Sequence, residues 1–298
     1  MHLVLDTHVV PLLTPKQRLS DYLCGIFLQL PSRKSVKVAI KRGAIYVDGK
    51  KGHTGDWVCP EQVVELIDLD DAPTKVLKLP MDVIYEDDAI AVVFKPAGIP
   101  VSGNQFRTIE NALLHNITLS TKVDALKKPR AVHRLDAPTS GLLLIAKTKQ
   151  ARMHLGAQFE AKTIQKKYQA IVIGQPPAQG RFDTAINHKA ALSHFECLQT
   201  VDSLKSGQLS LLNLYPKTGR THQLRIHLSQ AGFPILGDKL YGIQGLILKH
   251  KGLFLIAVAL DFEHPITGER QAIKLPTPYK YTALLNREQR RYDAYDFE

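Results

Sequence analysis

The 298-residue chain carries 39 lysines and arginines against 28 acidic residues, a formal net charge of +11, and is 44% hydrophobic and 22% charged. Those proportions exclude a disordered chain and suit a folded protein long enough for two domains, while the basic excess favours a polyanion as partner through counterion release. Cys24, Cys59 and Cys197 form no CxxC pair, the 12 histidines are scattered, and no apolar run is long enough to cross a bilayer, so the expectations are no metal, no disulfide framework, no membrane span and a reducing cytoplasm.

The opening MHLVLDTHVVPLL is interrupted by Asp6 and His8 and does not read as a signal peptide. Residues 15–30 set Leu19, Tyr22, Leu23, Ile26, Phe27 and Leu30 at helical spacing, which predicts one amphipathic helix with Pro15 in its first turn. Ser32 as N-cap and Gly43 as terminator bound a second, shorter helix. A strand at Ala44–Val47, a turn at Asp48-Gly49 and a strand at Val63–Leu69 follow.

In this stretch Arg33, Lys34, Lys37, Lys41, Arg42, Lys50 and Lys51 are accompanied by one acid, Asp48. Such a cluster suits a phosphate backbone; the competing interpretation is a solvated helix surface.

The polar, proline-bounded segment 70–80 predicts a linker, with domains at 1–75 and 76–298. Beyond it, strands are expected at Val83–Tyr85, Ile90–Phe94, 142–146, 168–173, 209–214 and 253–262. Helices are expected near 108–117, 149–161, 221–231 and 278–289, with a hairpin turn at His264–Gly268 and loops around 100–130 and 174–208. Strands and helices interspersed without a βαβ repeat indicate an α+β fold.

The most informative run is HRLDAPTSGLLLIAK, from His133 to Lys147. It sets an acid beside two basic residues, then a turn, then an apolar strand, so Asp136 falls where a loop meets rigid structure. Arg134 shares a face with Asp136 if the backbone there is extended. Two further blocks stand out: Lys166-Lys167-Tyr168-Gln169-Ala170-Ile171-Val172, and Pro216-Lys217-Thr218-Gly219-Arg220-Thr221-His222-Gln223-Leu224-Arg225-Ile226-His227-Leu228, continued by Pro234 to Gly242. Gly219 permits a tight turn before a helix, at whose start Arg220, Thr221 and His222 either meet phosphate or serve as ordinary caps.

These three blocks resemble the RluA-type RNA pseudouridine synthases, and the amino-terminal segment resembles the alpha-L RNA-binding module of ribosomal proteins. The resemblance implies an isomerase that breaks the bond from ribose to nitrogen 1 of uracil and rejoins the base through carbon 5. It implies Asp136 as the carboxylate that opens the reaction, as nucleophile or as base toward a sugar proton. Tyr168 would stack on the uracil, and Arg225 would pair with Asp136 and favour its charged form. Arg134 would fill the space left by the flipped nucleotide. His133 is grouped with the RNA-facing residues, with packing weighed against proton transfer.

The implied architecture is a catalytic domain with a central, mostly antiparallel mixed sheet flanked by helices, plus a small amino-terminal α/β RNA-binding module. A net isomerisation needs no cofactor. The expected partner is ribosomal RNA, or transfer RNA, acted on by a monomer. One rival is an RNA-binding assembly factor that keeps the fold without catalysis. Another, a nucleosidase releasing free uracil, would call for a second acid.

Overall fold

Residues 4–67, 76–246 and 251–295 are described by a computed structural model, in which the chain divides into two compact units, Met1–Lys75 and Val76–Glu298. Residues 70–75 of the expected linker, and Asp68 and Leu69 of the expected strand, lie outside the described residues.

In the first unit, strands β1 (Val4–Val9), β2 (Ile45–Val47), β3 (Lys50–Lys51) and β4 (Val63–Ile67) form an antiparallel sheet in the order β1-β4-β2-β3. The opening residues, which carried no recognisable pattern, thus contribute an edge strand. Helix α2 (Arg33–Arg42) begins where the Ser32 hydroxyl accepts from Ser35 N and ends at Gly43 in the left-handed region. Its Val36, Ala39 and Ile40 join Leu19, Leu23, Phe27 and Leu30 in a core over the sheet.

The long helix expected over 15–30 is not formed. Only α1 (Leu19–Tyr22) is helical, and turns follow. Gly25 takes φ 80°, a conformation that ends helical propagation, and its N–H bonds to Leu30 O at 3.1 Å. The apolar spacing was a record of burial, since Leu19, Leu23, Phe27 and Leu30 are all buried, and compact turns achieve that burial as well as a helix does.

The second unit is built on a ten-stranded mixed sheet, the α+β arrangement expected. Its strands are β5 (Val83–Glu86), β6 (Ile90–Lys95), β7 (Ala125–Ala131), β8 (Ser140–Thr148), β9 (Gln165–Ile173), β10 (Gln179–Phe182), β11 (Ser193–Ser203), β12 (Gly207–Pro216), β13 (Leu255–Glu263) and β14 (Arg270–Lys274). The main path runs β10-β11-β12-β9-β13-β8-β6-β5, with β14 on β13 and β7 on β8.

Central strands are apolar on both faces because both are covered. Ala91, Val93, Leu143 and Ile145 share one core with α3 (Ile109–Asn116), α5 (Gln223–Gln230) and α6 (Tyr279–Asp293). Ile90, Val92, Leu142, Leu144 and Ala146 face α4 (Lys149–Glu160). The segments expected as loops contain β7, β10 and β11; inward-facing Ser193 and Ser203 leave β11 with a weak apolar signal.

Among the described strands of this unit all pairings are antiparallel except β13 with β8, which meet in parallel at Ile256–Ser140 and Ala257–Gly141. Gly141 is required there: its φ is 115°, and a Cβ would lie 2.2 Å from Ala257 O. This close approach anchors the start of β8 directly after the segment that carries Asp136.

Candidate active site

Asp136 begins a turn closed by Thr139 N donating to Asp136 O at 3.0 Å. Two features hold that turn in place. Gly98 N donates to Ala137 O at 2.7 Å. Beneath it, the buried Lys95 ammonium donates to the carbonyls of Pro96, Ala137 and Thr139 at 2.9, 3.1 and 2.6 Å. Burial pushes the Lys95 pKa down to about 8, against the opposing pull of the Asp136 charge. The carboxylate is therefore mounted on a loop whose carbonyls are gathered around one buried cation.

Arg225, from the first turn of α5, approaches Asp136 with Nη1 at 3.5 Å from Oδ2. Its other donors are engaged: Nε and Nη2 form a fork on Asp238, at 2.7 and 2.8 Å. Asp238 Oδ1 also accepts from Leu240 N and Tyr241 N. Burial by itself would raise the Asp238 pKa, but the Arg225 bonds and these backbone donors hold it below the usual carboxylate value. For Arg225, burial works downward, and the two aspartates outweigh it to raise the pKa. The guanidinium also lies 5.1 Å from the Tyr241 ring centroid, within cation–π range.

His222 completes this group. It precedes α5 in the left-handed conformation, φ 55°. Its Nε2 is 3.9 Å from Asp136 Oδ1, and its Nδ1 is 2.9 Å from the Tyr241 hydroxyl. Gly219, expected to supply the special turn, has no positive φ and open space where a Cβ would stand. The left-handed residue is His222, whose conformation sets the direction in which its ring enters the site.

Two cavities meet at these side chains. One, of about 510 Å³, is lined by Tyr168, Tyr215, Lys166, Arg220 and Thr221; the other, of about 820 Å³, by Gly98, Val101, Lys239, Leu240 and Leu253. Arg134, Asp136, His222 and Arg225 line both. Tyr168 lies on β9 opposite Leu214 and Ala257, and burial, reinforced by the Asp136 charge, pushes its hydroxyl pKa far up. The phenol is accordingly a neutral hydrogen-bond donor at physiological pH.

The fold thus gathers Arg134, Asp136, Tyr168, Arg220, Thr221, His222 and Arg225 around one opening. His133 borders the first cavity too, but its Nε2 accepts from Leu144 N at 3.0 Å, its ring stacks on Phe159, and burial lowers its pKa to about 3. That ring is held neutral by the fold. Arg220 is partly committed as well, with Nε donating to Ala190 O at 3.0 Å.

Arg33, Lys34, Lys37, Lys41, Arg42, Lys50 and Lys51 belong to the first unit, where all are exposed on α2 and β3. Arg33 pairs with Asp21 at 2.5 Å. Lys95, Asp238 and Tyr241 were not singled out from sequence. A spacing of 13 residues between Arg225 and Asp238 carries no local signal, and a lysine ending a buried strand gives no hint of the carbonyls it will find.

A half-buried carboxylate beside a buried guanidinium, with a tyrosine and a basic rim nearby, has the groups to open a reaction on a sugar or base. Among the described residues no group of three or more His, Cys, Asp or Glu is arranged to hold a metal ion, and no helix is long and apolar enough to cross a membrane.

Comparison with known proteins agrees with this chemistry. Residues 89–230 match the family described as RNA pseudouridylate synthase. An uncharacterized RNA pseudouridine synthase of Chloroflexus aurantiacus is 36% identical, over 95% of this chain and 93% of that protein. The ribosomal large subunit pseudouridine synthase D of Pseudomonas aeruginosa is 32% identical, with 93% of each covered. In structure, human RNA pseudouridylate synthase domain containing 1 superposes with a TM-score of 0.56 at 24% identity, over 67% of this chain and 84% of that one.

Proposed function

Since the chain belongs to the RNA pseudouridylate synthase family of isomerases, we propose that Asp136 opens its reaction, on a uridine of ribosomal RNA delivered with help from the first unit. The chemistry rearranges one nucleotide: the C1′–N1 bond breaks, C1′–C5 forms, C5 loses a proton and N1 gains one. An ionised carboxylate can begin it by attack or by removing a sugar proton, and the proton inventory closes without redox or metal chemistry.

The observation that carries this reading is the position of Asp136 at the junction of two cavities, 3.5 Å from a buried guanidinium. In this scheme the uracil enters the cavity bordered by Tyr168 and stacks there, Arg225 directs the carboxylate, and Arg134, exposed at the rim, occupies the space the flipped nucleotide leaves. Arg220, Thr221 and His222 meet phosphate at the start of α5. The first unit acts as an alpha-L-like module whose α2 cations track the backbone. Ribosomal RNA is favoured over transfer RNA because the Pseudomonas aeruginosa relative is named for the large ribosomal subunit. One chain carries every residue in the scheme, so a monomer suffices, and the free Cys24, Cys59 and Cys197 suit the reducing cytoplasm.

Tritium release from carbon-5-labelled uridine in ribosomal and transfer RNA transcripts tests this, comparing wild type with Asp136→Asn. Release from ribosomal transcripts by wild type, and none by the variant, is expected. Equal release by both would remove Asp136 from its role, and release from transfer RNA alone would reverse the substrate preference.

A further inference from the structure

Trp57 is the chain's one tryptophan, and it stands on the surface of the first unit with 46% of its area in solvent. Its exposure is built in. The backbone at 17–19 pairs with that at 56–58: Leu19 N donates to Asp56 O at 2.8 Å, Val58 N donates to Gln17 O at 3.0 Å, and Arg18 forms an antiparallel bridge with Trp57. Leu19 and Val58 turn into the core and are buried. Alternation along paired extended backbone then sends Arg18 and Trp57 outward together.

The groups over the indole are cations. The Arg18 guanidinium carbon lies 4.2 Å from the ring centroid and Lys16 Nζ lies 5.3 Å from it. Arg18 is itself tethered, through Nη1 to Gly55 O. The neighbouring acid, Asp56, is turned away to accept the His53 N–H at 2.6 Å. A rigid aromatic plane with a positive charge on either of two adjacent side chains, on a chain of net charge +11, has the composition of a platform for a planar base attached to phosphate. Solvent is a poor neighbour for so large an apolar ring, and stacking by a base removes it.

We propose that Trp57, with Arg18 and Lys16, is a stacking site for an unpaired base of the RNA, separate from the α2 cations. Arg18 extends the stack with its planar guanidinium, and Lys16 takes the phosphate that follows the base. The proposal rests on the assignment of the first unit to RNA binding, and adds that the bound RNA is single-stranded where it crosses Trp57. Backbone contacts alone are indifferent to strandedness of that kind, whereas a stacking platform requires a base free of its partner.

The lone tryptophan reports on itself. The full-length protein is titrated with a short single-stranded oligoadenylate and with a duplex of the same length, following indole emission and the anisotropy of labelled RNA. Saturable quenching by the single strand and none by the duplex is expected. Trp57→Ala weakens single-strand binding by about ten- to a hundredfold, Trp57→Phe less, and both leave duplex binding unchanged. Lys37→Ala with Lys41→Ala weakens single strand and duplex alike. Binding by wild type with unquenched emission, or Trp57→Ala binding single strands as wild type does, overturns the platform and leaves RNA binding by the unit intact. Absence of binding to either RNA by wild type overturns both. Trp57→Phe, which keeps an aromatic ring in the same bridge, covers the case in which the alanine variant does not fold.

Discussion

Arg225 gives Asp238 a buried two-bond fork at 2.7 and 2.8 Å and reaches Asp136 with Nη1 at 3.5 Å. One guanidinium therefore serves two carboxylates, and the stronger geometry belongs to Asp238, which borders only the larger cavity, whereas Asp136 borders both. The arrangement directs Arg225 without letting it close a fork on Asp136, which would tie up both carboxylate oxygens in an ion pair. A network of this kind couples the turn at Asp238 to Asp136 through a single side chain held by a fork.

Asp238→Asn should therefore slow turnover more than it weakens RNA binding. The amide cannot accept both guanidinium bonds, and Arg225 becomes free to swing onto Asp136. Misplacement on the scale of an ångström costs about a hundredfold in rate, so single-turnover kinetics should fall by about ten- to a hundredfold with Kd for RNA nearly unchanged. Removing one partner of a buried pair also costs about 3–5 kcal/mol, readable by urea unfolding. Because folding holds the Asp238 pKa below its usual 3.8, its contribution is present above that pH and lost as pH falls through the lower folded value. The variant should lose less stability than wild type on acidification below about pH 4. Equal acid sensitivity would contradict the pairing.

Lys95 provides a second pH signature, of opposite origin. Its pKa falls from 10.5 to about 8 on folding, so between these values the unfolded chain binds more protons than the folded one. Stability contributed at this site should rise with pH across that window. Lys95→Met abolishes the rise, yet it also strips the carbonyls of Pro96, Ala137 and Thr139 of their donor, at a cost of about 2–4 kcal/mol. Comparing denaturation midpoints at pH 7.5 and 10 for both proteins separates the two effects.

The Tyr168 hydroxyl, raised far above its ordinary pKa by burial and then by Asp136, should remain un-ionised wherever the protein is folded. Turnover should accordingly show no alkaline transition from this residue below pH 10. Tyr168→Phe keeps the ring and should bind RNA normally while losing about tenfold or more in kcat; Tyr168→Ala should lose affinity as well, by about 1–3 kcal/mol for one stacked base. Stopped-flow binding alongside tritium release distinguishes them.

Where local chemistry decides structure, the sequence was legible. Ser32 and Gly43 marked α2 to the residue, and the apolar run 142–146 lies within β8. Long-range effects were not legible. Leu19, Leu23, Phe27 and Leu30 are buried as their spacing indicated, but Gly25 folds them through turns. At the site, a contiguous motif exposed Asp136. Asp238 and Lys95 act through partners that only the tertiary fold supplies: the Arg225 fork, and carbonyls up to 44 residues away. The site position of His222 was read from the motif, but its left-handed backbone was not, since Gly219 three residues earlier looked like the residue a tight turn would use.

The cations of α2 allow a final test by charge rather than by chemistry. Lys37 and Lys41 are exposed on a helix whose buried face is Val36, Ala39 and Ile40, so replacing them with alanine leaves the core untouched and slightly favours the helix. If each neutralises one phosphate, the double variant should bind RNA more weakly at every sequence, and the slope of log K against log salt should become shallower by roughly 0.7–0.9 per lysine removed. Turnover at saturating RNA should stay near wild type if the first unit contributes affinity alone. Deleting residues 1–75 extends the same logic, with a larger loss of affinity and catalysis retained once RNA is in excess. An unchanged salt slope would reduce α2 to a solvated surface; a collapse of turnover at saturating RNA would mean that the first unit helps to organise the reacting nucleotide as well as to hold the RNA.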